Sequence, residues 1–243
     1  GRFLGAKLSY LTLGATIMTA RLLVMLFVGS LTLVVHPDAT PQQNATSVSY
    51  PTVAGAGKGK HVVFLAGDEE YRSEEGLPML AKILSQRHGF KCTVLFSVDP
   101  DGTINPKAST SLSDPAALDT ADAVVMLLRF RAWPDEDMAR FEKFLLAGKP
   151  IVALRTSTHA FNGLAKGGPW DTWNYNNQGG FGKRVLGETW LTHWGKHKIE
   201  ATRGVVEPGQ QDNPILRGVS DLFGDTDVVD QRRDVVEPIG VGE

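Results

Sequence analysis

Three groups of side chains in this 243-residue chain have the types and spacing to do chemistry. The first is Arg155-Thr156-Ser157-Thr158-His159, inside KPIVALRTSTHAF at residues 149–161. An arginine there suits two-pronged recognition of a carboxylate or another anion, or a structural ion pair. His159 has the range of a general base, a ligand or a hydrogen-bonded core imidazole, the last being the default for a lone histidine. Ser157 lacks the G-x-S-x-G setting of a nucleophilic elbow. With Thr156 it reads as a hydroxyl within reach of a substrate. The second group is Asp68, Glu69, Tyr71 and Arg72, just before a helix that Ser73 would cap and that Glu74 and Glu75 would support through its dipole. The third is Thr192-His193-Trp194-Gly195-Lys196-His197, with two histidines four apart. On a helix that spacing puts both on one face, and His159, His193 and His197 together would suffice for an open zinc-type site. Against it, Trp194-Gly195 interrupts a helix and no H-E-x-x-H glutamate stands between the histidines.

The elements that must position these groups alternate. HVVFLAG, His61–Gly67, is a continuous apolar run of the kind that forms a strand buried on both faces. Ser73–His88 carries Leu77, Leu80, Ile83 and Leu84 at helical spacing, and Gly89 follows as a C-cap. Residues 91–98 read as a second strand and residues 99–119 as a long loop with a helical turn. Ala123–Leu128 reads as a third strand. Residues 134–146 form an amphipathic helix with Met138, Phe141, Phe144 and Leu145 inward. Residues 150–154 then read as a fourth, buried strand. Strand–helix–strand repetition of this kind implies a parallel, doubly wound α/β sheet, whose ligands collect at the carboxyl ends of the strands. All three polar groups lie at or beyond such ends.

Other features bound the possibilities. Basic and acidic residues nearly balance, 25 against 27, and no long basic run appears, so nucleic acid is not an expected partner. The single cysteine, Cys92, sits in the apolar run KCTVLF and reads as a core residue. It permits neither an internal disulfide nor a thiolate cluster. Residues 1–36 read as a signal peptide, with an uncleaved membrane anchor as the alternative, since Arg21 precedes the apolar LLVMLFVGSLTLVV and no A-x-A cleavage site follows. The first residue is Gly1, so residues 1–17 read as upstream of a natural start at Met18. Residues 37–60, rich in Pro, Gln, Asn, Ser, Thr and Gly, read as a flexible linker. Residues 61–243 are the α/β domain, which looks truncated at its C-terminus. Trp170, Trp173, Tyr175, Trp190 and Trp194 crowd beside Asn174, Asn176, Asn177 and Gln178. That belt could be a sugar platform, a small lid or the surface of a homo-oligomer, with core or interface the safer reading for most of the rings.

The segments HVVFLAG, GKPIVALRTSTHAF, GGFGKRVLGETWLTHWGKH and DNPILRGVSDLF, in that order, resemble the ThuA-like (trehalose-utilisation) family of the class I glutamine amidotransferase-like superfamily. The resemblance runs from about His61 to the end. Residues 213–219 are similar to that family's HPI-x-RG signature, with Asn213 where histidine is usual. Gly179-Gly180-Phe181 followed by His193 resembles its GG-x-F…H segment. The resemblance implies a flavodoxin-like sheet and a link to disaccharide catabolism through oxidised, keto sugars. Two departures matter. Ala153-Leu154-Arg155 replaces the family's G-[IL]-H turn, and Arg155 stands about where the amidotransferases place their cysteine. Cys92 belongs to another strand, so glutaminase chemistry through a cysteine nucleophile is excluded.

These readings converge on an exported protein, periplasmic or extracellular, that binds a small carbohydrate or oxidised sugar and processes it by acid–base chemistry. Glu69 or His159 would then transfer the proton. Arg155, Tyr71, Arg72, Thr156 and Ser157 would contact the substrate, and Trp170 or Trp173 would stack on a sugar ring. The alternatives are a non-catalytic binding or scaffold domain and a metal-dependent hydrolase using His159, His193 and His197.

Overall fold

The computed structural model describes residues 42–44, 46–196, 199–224 and 228–233. The leader-like segment 1–36 and His197 lie outside the described residues. Among the described residues no helix is long and apolar enough to cross a membrane.

Strands β1 (Gln42–Asn44), β2 (Ser47–Tyr50), β3 (His61–Gly67), β4 (Lys91–Phe96), β5 (Ala123–Leu128) and β6 (Ile151–Ala153) form one sheet in the order β1-β2-β4-β3-β5-β6. β4, β3, β5 and β6 are mutually parallel, and β1 and β2 add to the β4 side as antiparallel strands. The parallel strands therefore run second, first, third, fourth in chain order, the flavodoxin-like α/β arrangement. Helix α1 (Ser73–His88) connects β3 to β4, and α2 (Asp135–Leu146) connects β5 to β6. The alternating side chains of β3 explain why both faces are covered. Val62, Phe64 and Ala66 pack with Leu77 and Ala81 of α1. Val63 and Leu65 share the other core with Met138, Phe141 and Phe144 of α2. A strand apolar on both faces is stable only between two such layers.

Four expectations need correction. Residues 37–60 are not wholly a linker, because Ser47–Tyr50 pairs along β4 and buries Ser47 and Tyr50. Glycines carry the chain onward over α1, where a side-chain carbon at Gly55 would collide with the His88 carbonyl. β6 is not a buried strand. It has three residues, lies at the edge of the sheet among the described residues, and leaves Val152 53% exposed. Ile83 points to solvent, while Ala81 and Ser85 take the inward positions of α1. Ser73 is the first helical residue rather than the cap. Arg72 occupies the cap position with a left-handed backbone.

Beyond β6 the chain makes short turns, Arg155–His159, Asp171–Trp173 and Gly182–Leu186. It then forms an antiparallel ribbon of β7 (Glu188–Trp194) with a strand at Val228–Arg233. A second pair joins Thr202–Gly204 to Leu222–Gly224.

Candidate functional site

The order of the sheet reverses between β3 and β5, so their carboxyl ends flank the switch point where α/β folds open a crevice. Asp68 follows β3 and is fully buried. Its Oδ1 accepts the backbone N–H groups of Glu70 (2.7 Å) and Tyr71 (2.9 Å), and its Oδ2 accepts the hydroxyl of Thr156. Ser73 closes the loop from the other side. Its hydroxyl donates to the Asp68 carbonyl (3.0 Å) and accepts the Asp68 N–H (2.8 Å). This carboxylate shapes the loop and ties it to the turn after β6.

After β5 come Arg129, Phe130 and Arg131. Glu69 is held between two guanidiniums, with one oxygen on Arg129 and the other 3.1 Å from Arg131 Nη2. Glu70 pairs with Arg129 Nε at 3.2 Å. The Arg131 side chain is 3% exposed. It also donates to the carbonyls of Arg129 (2.6 Å), Pro106 (3.0 Å) and Ala108 (3.3 Å) and to the Ser97 hydroxyl (3.2 Å). Burial lowers its pKa, with Glu69 and Asp68 opposing. Nearly every donor of this fork is used, as a buried cation requires. Gly67 makes room for it, since a side-chain carbon there would lie 2.9 Å from Leu128 and 3.0 Å from Arg131.

The turn after β6 divides its residues between framework and crevice. Ser157 donates to the Met126 carbonyl (3.1 Å) and accepts from the Leu128 N–H (3.2 Å), both on β5. Thr156 is fully buried against Asp68. These two buried hydroxyls tie the turn to Asp68 and to β5. Arg155 has a positive φ of 43°, a left-handed conformation at a strand-to-helix turn. Its guanidinium lies 4.0 Å from the centroid of the Tyr71 ring and donates to the Tyr71 hydroxyl at 2.7 Å. The structure thus brings together two of the expected substrate-contacting residues. Arg72 is the outlier: its side chain is exposed and paired with Glu75. Arg72, Phe130 and Arg155, one after each of three adjacent strands, are all left-handed (φ 52°, 53° and 43°). Strained non-glycine residues collected at one sheet edge are a recurrent mark of functional sites.

His159 ends the same turn and is 1% exposed. Its ring lies 5.2 Å from Phe130 and 4.5 Å from Trp190, centroid to centroid, and Tyr175 completes the box at 5.0 Å from Phe130 and 5.6 Å from Trp190. Arg129 sits 4.6 Å from the Phe130 centroid. Burial first, then the charges of Arg129 and His193, depress the His159 pKa to about 3. The imidazole is therefore uncharged at neutral pH. Its Nδ1 faces the Thr158 hydroxyl at 3.4 Å. The backbone around it is pinned: Phe130 N–H donates to the His159 carbonyl (3.1 Å) and Arg131 N–H to that of Ala160 (2.6 Å). Gly182 abuts the Thr158 carbonyl so closely that no side-chain carbon fits.

The remaining expected residues lie elsewhere. Trp170 is buried in the α2-side core, and Trp173 packs there on Phe141, Phe161 and Phe181. The tryptophan beside His159 is Trp190. His193 extends from β7, a strand rather than a helix, with its ring 5.6 Å from Trp190. Among the described residues no three of His, Cys, Asp and Glu gather as metal ligands, and His197 lies outside them. Cys92 is fully buried, donates to the Phe90 carbonyl, and has its thiol pushed up to about 12 by burial. Residues 213–219 form a largely exposed turn in which Asn213 caps the Ile215 N–H.

Sequence reasoning missed Arg129, Phe130 and Arg131. The signal was present: R-F-R follows the apolar run AVVMLL directly, at a strand end like the one that drew attention to Arg155. Comparison with protein-family models, curated proteins and solved structures returned no match.

Proposed function

We propose that this chain is a ThuA-like α/β protein that binds a carbohydrate or an oxidised sugar derivative at the crevice beyond β3, β5 and β6. The observation that carries this reading is the aromatic box of Phe130, Tyr175 and Trp190 around an uncharged imidazole, bordered by Arg129. Ring faces take the apolar faces of a pyranose, while guanidinium and imidazole address its oxygens. The weight falls on binding rather than on proton transfer. Each Glu69 oxygen already accepts from a guanidinium. An imidazole with a pKa of about 3 holds almost no proton to give as an acid at neutral pH, and is a weak base. Export remains part of the proposal, supported by the leader-like sequence at residues 1–36.

The test is calorimetric titration of the purified protein with matched disaccharides, oxidised and unoxidised, alongside an assay for turnover. Saturable binding that Trp190→Leu weakens at least tenfold is expected, with turnover low or absent. No binding across both sugar sets would remove the proposal. Metal content of protein purified without chelators decides the hydrolase alternative.

A further inference from the structure

We propose that Asn162-Gly163 is a site of spontaneous covalent modification, where the asparagine closes on its own backbone to a succinimide and reopens chiefly as isoaspartate, slackening the chain between Phe161 and Tyr175. Three observations carry it. First, Asn162 is the only asparagine of the chain followed by glycine. Asn105 and Asn213 precede prolines, which have no N–H to attack with, and the other asparagines precede residues whose side chains crowd the nitrogen. Second, Asn162 and Gly163 are both exposed, and a side-chain carbon at Gly163 would meet nothing nearer than Ala132, 3.5 Å away. Gly163 also stands at φ 91°, and a glycine leaves the backbone free to bring its nitrogen against the side chain before it. Third, among the described residues neither the Asn162 carboxamide nor the Gly163 N–H has a hydrogen-bond partner. Asn174 is the contrast: it is buried, with its carboxamide tied to Leu164 and Asp171.

The reaction needs only water. The Gly163 nitrogen gives its proton to hydroxide and forms a bond to Asn162 Cγ. The Cγ–Nδ2 bond then breaks, and Nδ2 takes a proton from water and leaves as ammonia, which restores the hydroxide. Water next adds to one of the two ring carbonyls. Breaking the ring nitrogen's bond to Cγ gives aspartate. Breaking its bond to the main-chain carbonyl carbon gives isoaspartate, whose backbone runs through Cβ and Cγ and is longer by one carbon. Asp101-Gly102 has the same glycine but a poorer electrophile. Asp101 accepts the Thr103 N–H at 2.9 Å, a bond that lowers its pKa and keeps it a carboxylate. The extra carbon at Asn162 would fall between anchored points. Phe161 is fully buried and bridges to Arg131, whose carbonyl accepts the Asn162 N–H at 2.9 Å. Leu164 N–H donates to Asn174 Oδ1 (2.9 Å), and Tyr175 N–H to the Phe161 carbonyl (2.9 Å). A longer backbone between these bonds cannot leave all of them in register.

The experiment ages the full chain in warm, mildly alkaline buffer and maps its tryptic peptides by mass. Cleavage after Arg155 and Lys166 isolates residues 156–166, in which Asn162 is the single asparagine. That peptide is expected to gain about 1 Da as ammonia is exchanged for water. In the folded chain the gain should proceed within about tenfold of the rate in the free 156–166 peptide. Enzymatic methylation of isoaspartate should label the same peptide. Asn162→Gln, which would have to close a larger ring, is expected to stop the gain. In aged wild type, amide exchange at Leu164 and Tyr175 should quicken at least about threefold, while aged N162Q keeps its starting rates. An unchanged mass at residues 156–166, a rate more than about a hundredfold below the free peptide's, or unaltered exchange in the isoaspartate-bearing protein would overturn the inference.

Discussion

The ends of β3 and β5 carry a polar network, the ends of β5 and β6 an aromatic box, and the two use their polar atoms to different degrees. In the network, both oxygens of Glu69 are taken, and Arg131 spreads its donors over Glu69, Ser97 and three carbonyls. In the box, Trp190 keeps a buried N–H with no partner and His159 keeps a nitrogen turned away from Thr158. A buried network whose members are all satisfied fixes a structure. The aromatic cluster leaves a buried donor unpaired, so its polar atoms are not all satisfied by the fold. The contrast separates two kinds of strand-end residue that look alike in sequence, the ones whose polar atoms the fold satisfies and the ones whose polar atoms it leaves open.

The largest way to break this comparison is to break the network. Arg131→Met would strip the donor from three carbonyls and leave Glu69 half-paired. It is expected to cost about 3–5 kcal/mol in urea unfolding, the range for removing one partner of a buried ion pair. A loss below about 1 kcal/mol would mean that the network is not the structural half. The next test concerns the box and uses pH. The unfolded chain holds His159 near its ordinary pKa of 6.5, and the fold lowers it to about 3, so protonation favours the unfolded chain. Its contribution is level above about pH 6.5. It then falls by up to about 1.4 kcal/mol per pH unit between 6.5 and 3. His159→Phe should flatten that portion of the stability profile, although His61, also lowered by burial, will keep part of the slope. Parallel profiles for wild type and variant would contradict a neutral buried imidazole. The smallest effect belongs to neither cluster. Arg72 is left-handed, exposed, and paired only with nearby Glu75. Arg72→Gly should relieve the backbone and give up an exposed pair worth little, for a net gain of about 0.5 kcal/mol in thermal unfolding. A loss above about 1 kcal/mol would place Arg72 among the residues that hold the edge.

The parts of the fold legible in the sequence were those where one physical demand dominates. β3, α1 and β5 begin and end where their residues indicate, because a run such as AVVMLL has no other stable home than between two layers, and because Gly89 supplies the left-handed cap with φ of 81°. Helix α2 starts one residue late since Pro134 serves as its cap. The antiparallel strand at Ser47–Tyr50 was hidden because SVSY is polar and short. What recruits it is the unpaired edge of β4, a property of the assembled sheet rather than of the segment. The site divides in the same manner. Strand-end position found Tyr71, Arg155 and His159, and the Tyr71–Arg155 pairing places residues 84 apart in sequence side by side. Residue type alone could not separate Trp173 in the core from Trp190 in the box. Nor could it show that Thr156 and Ser157 spend their hydroxyls on Asp68 and β5. Those distinctions depend on which partners the fold delivers.

Cys92 also has a use that none of the chemistry above requires. The one thiol of the chain sits on β4 with no exposure and a pKa near 12, so in the folded protein a disulfide reagent such as Ellman's has neither access nor a thiolate to attack it. Reaction must wait for β4 to leave the sheet. The molecule therefore carries its own clock for opening. At excess reagent, the rate of colour release reports how often the sheet comes apart around its second parallel strand, without any engineered label.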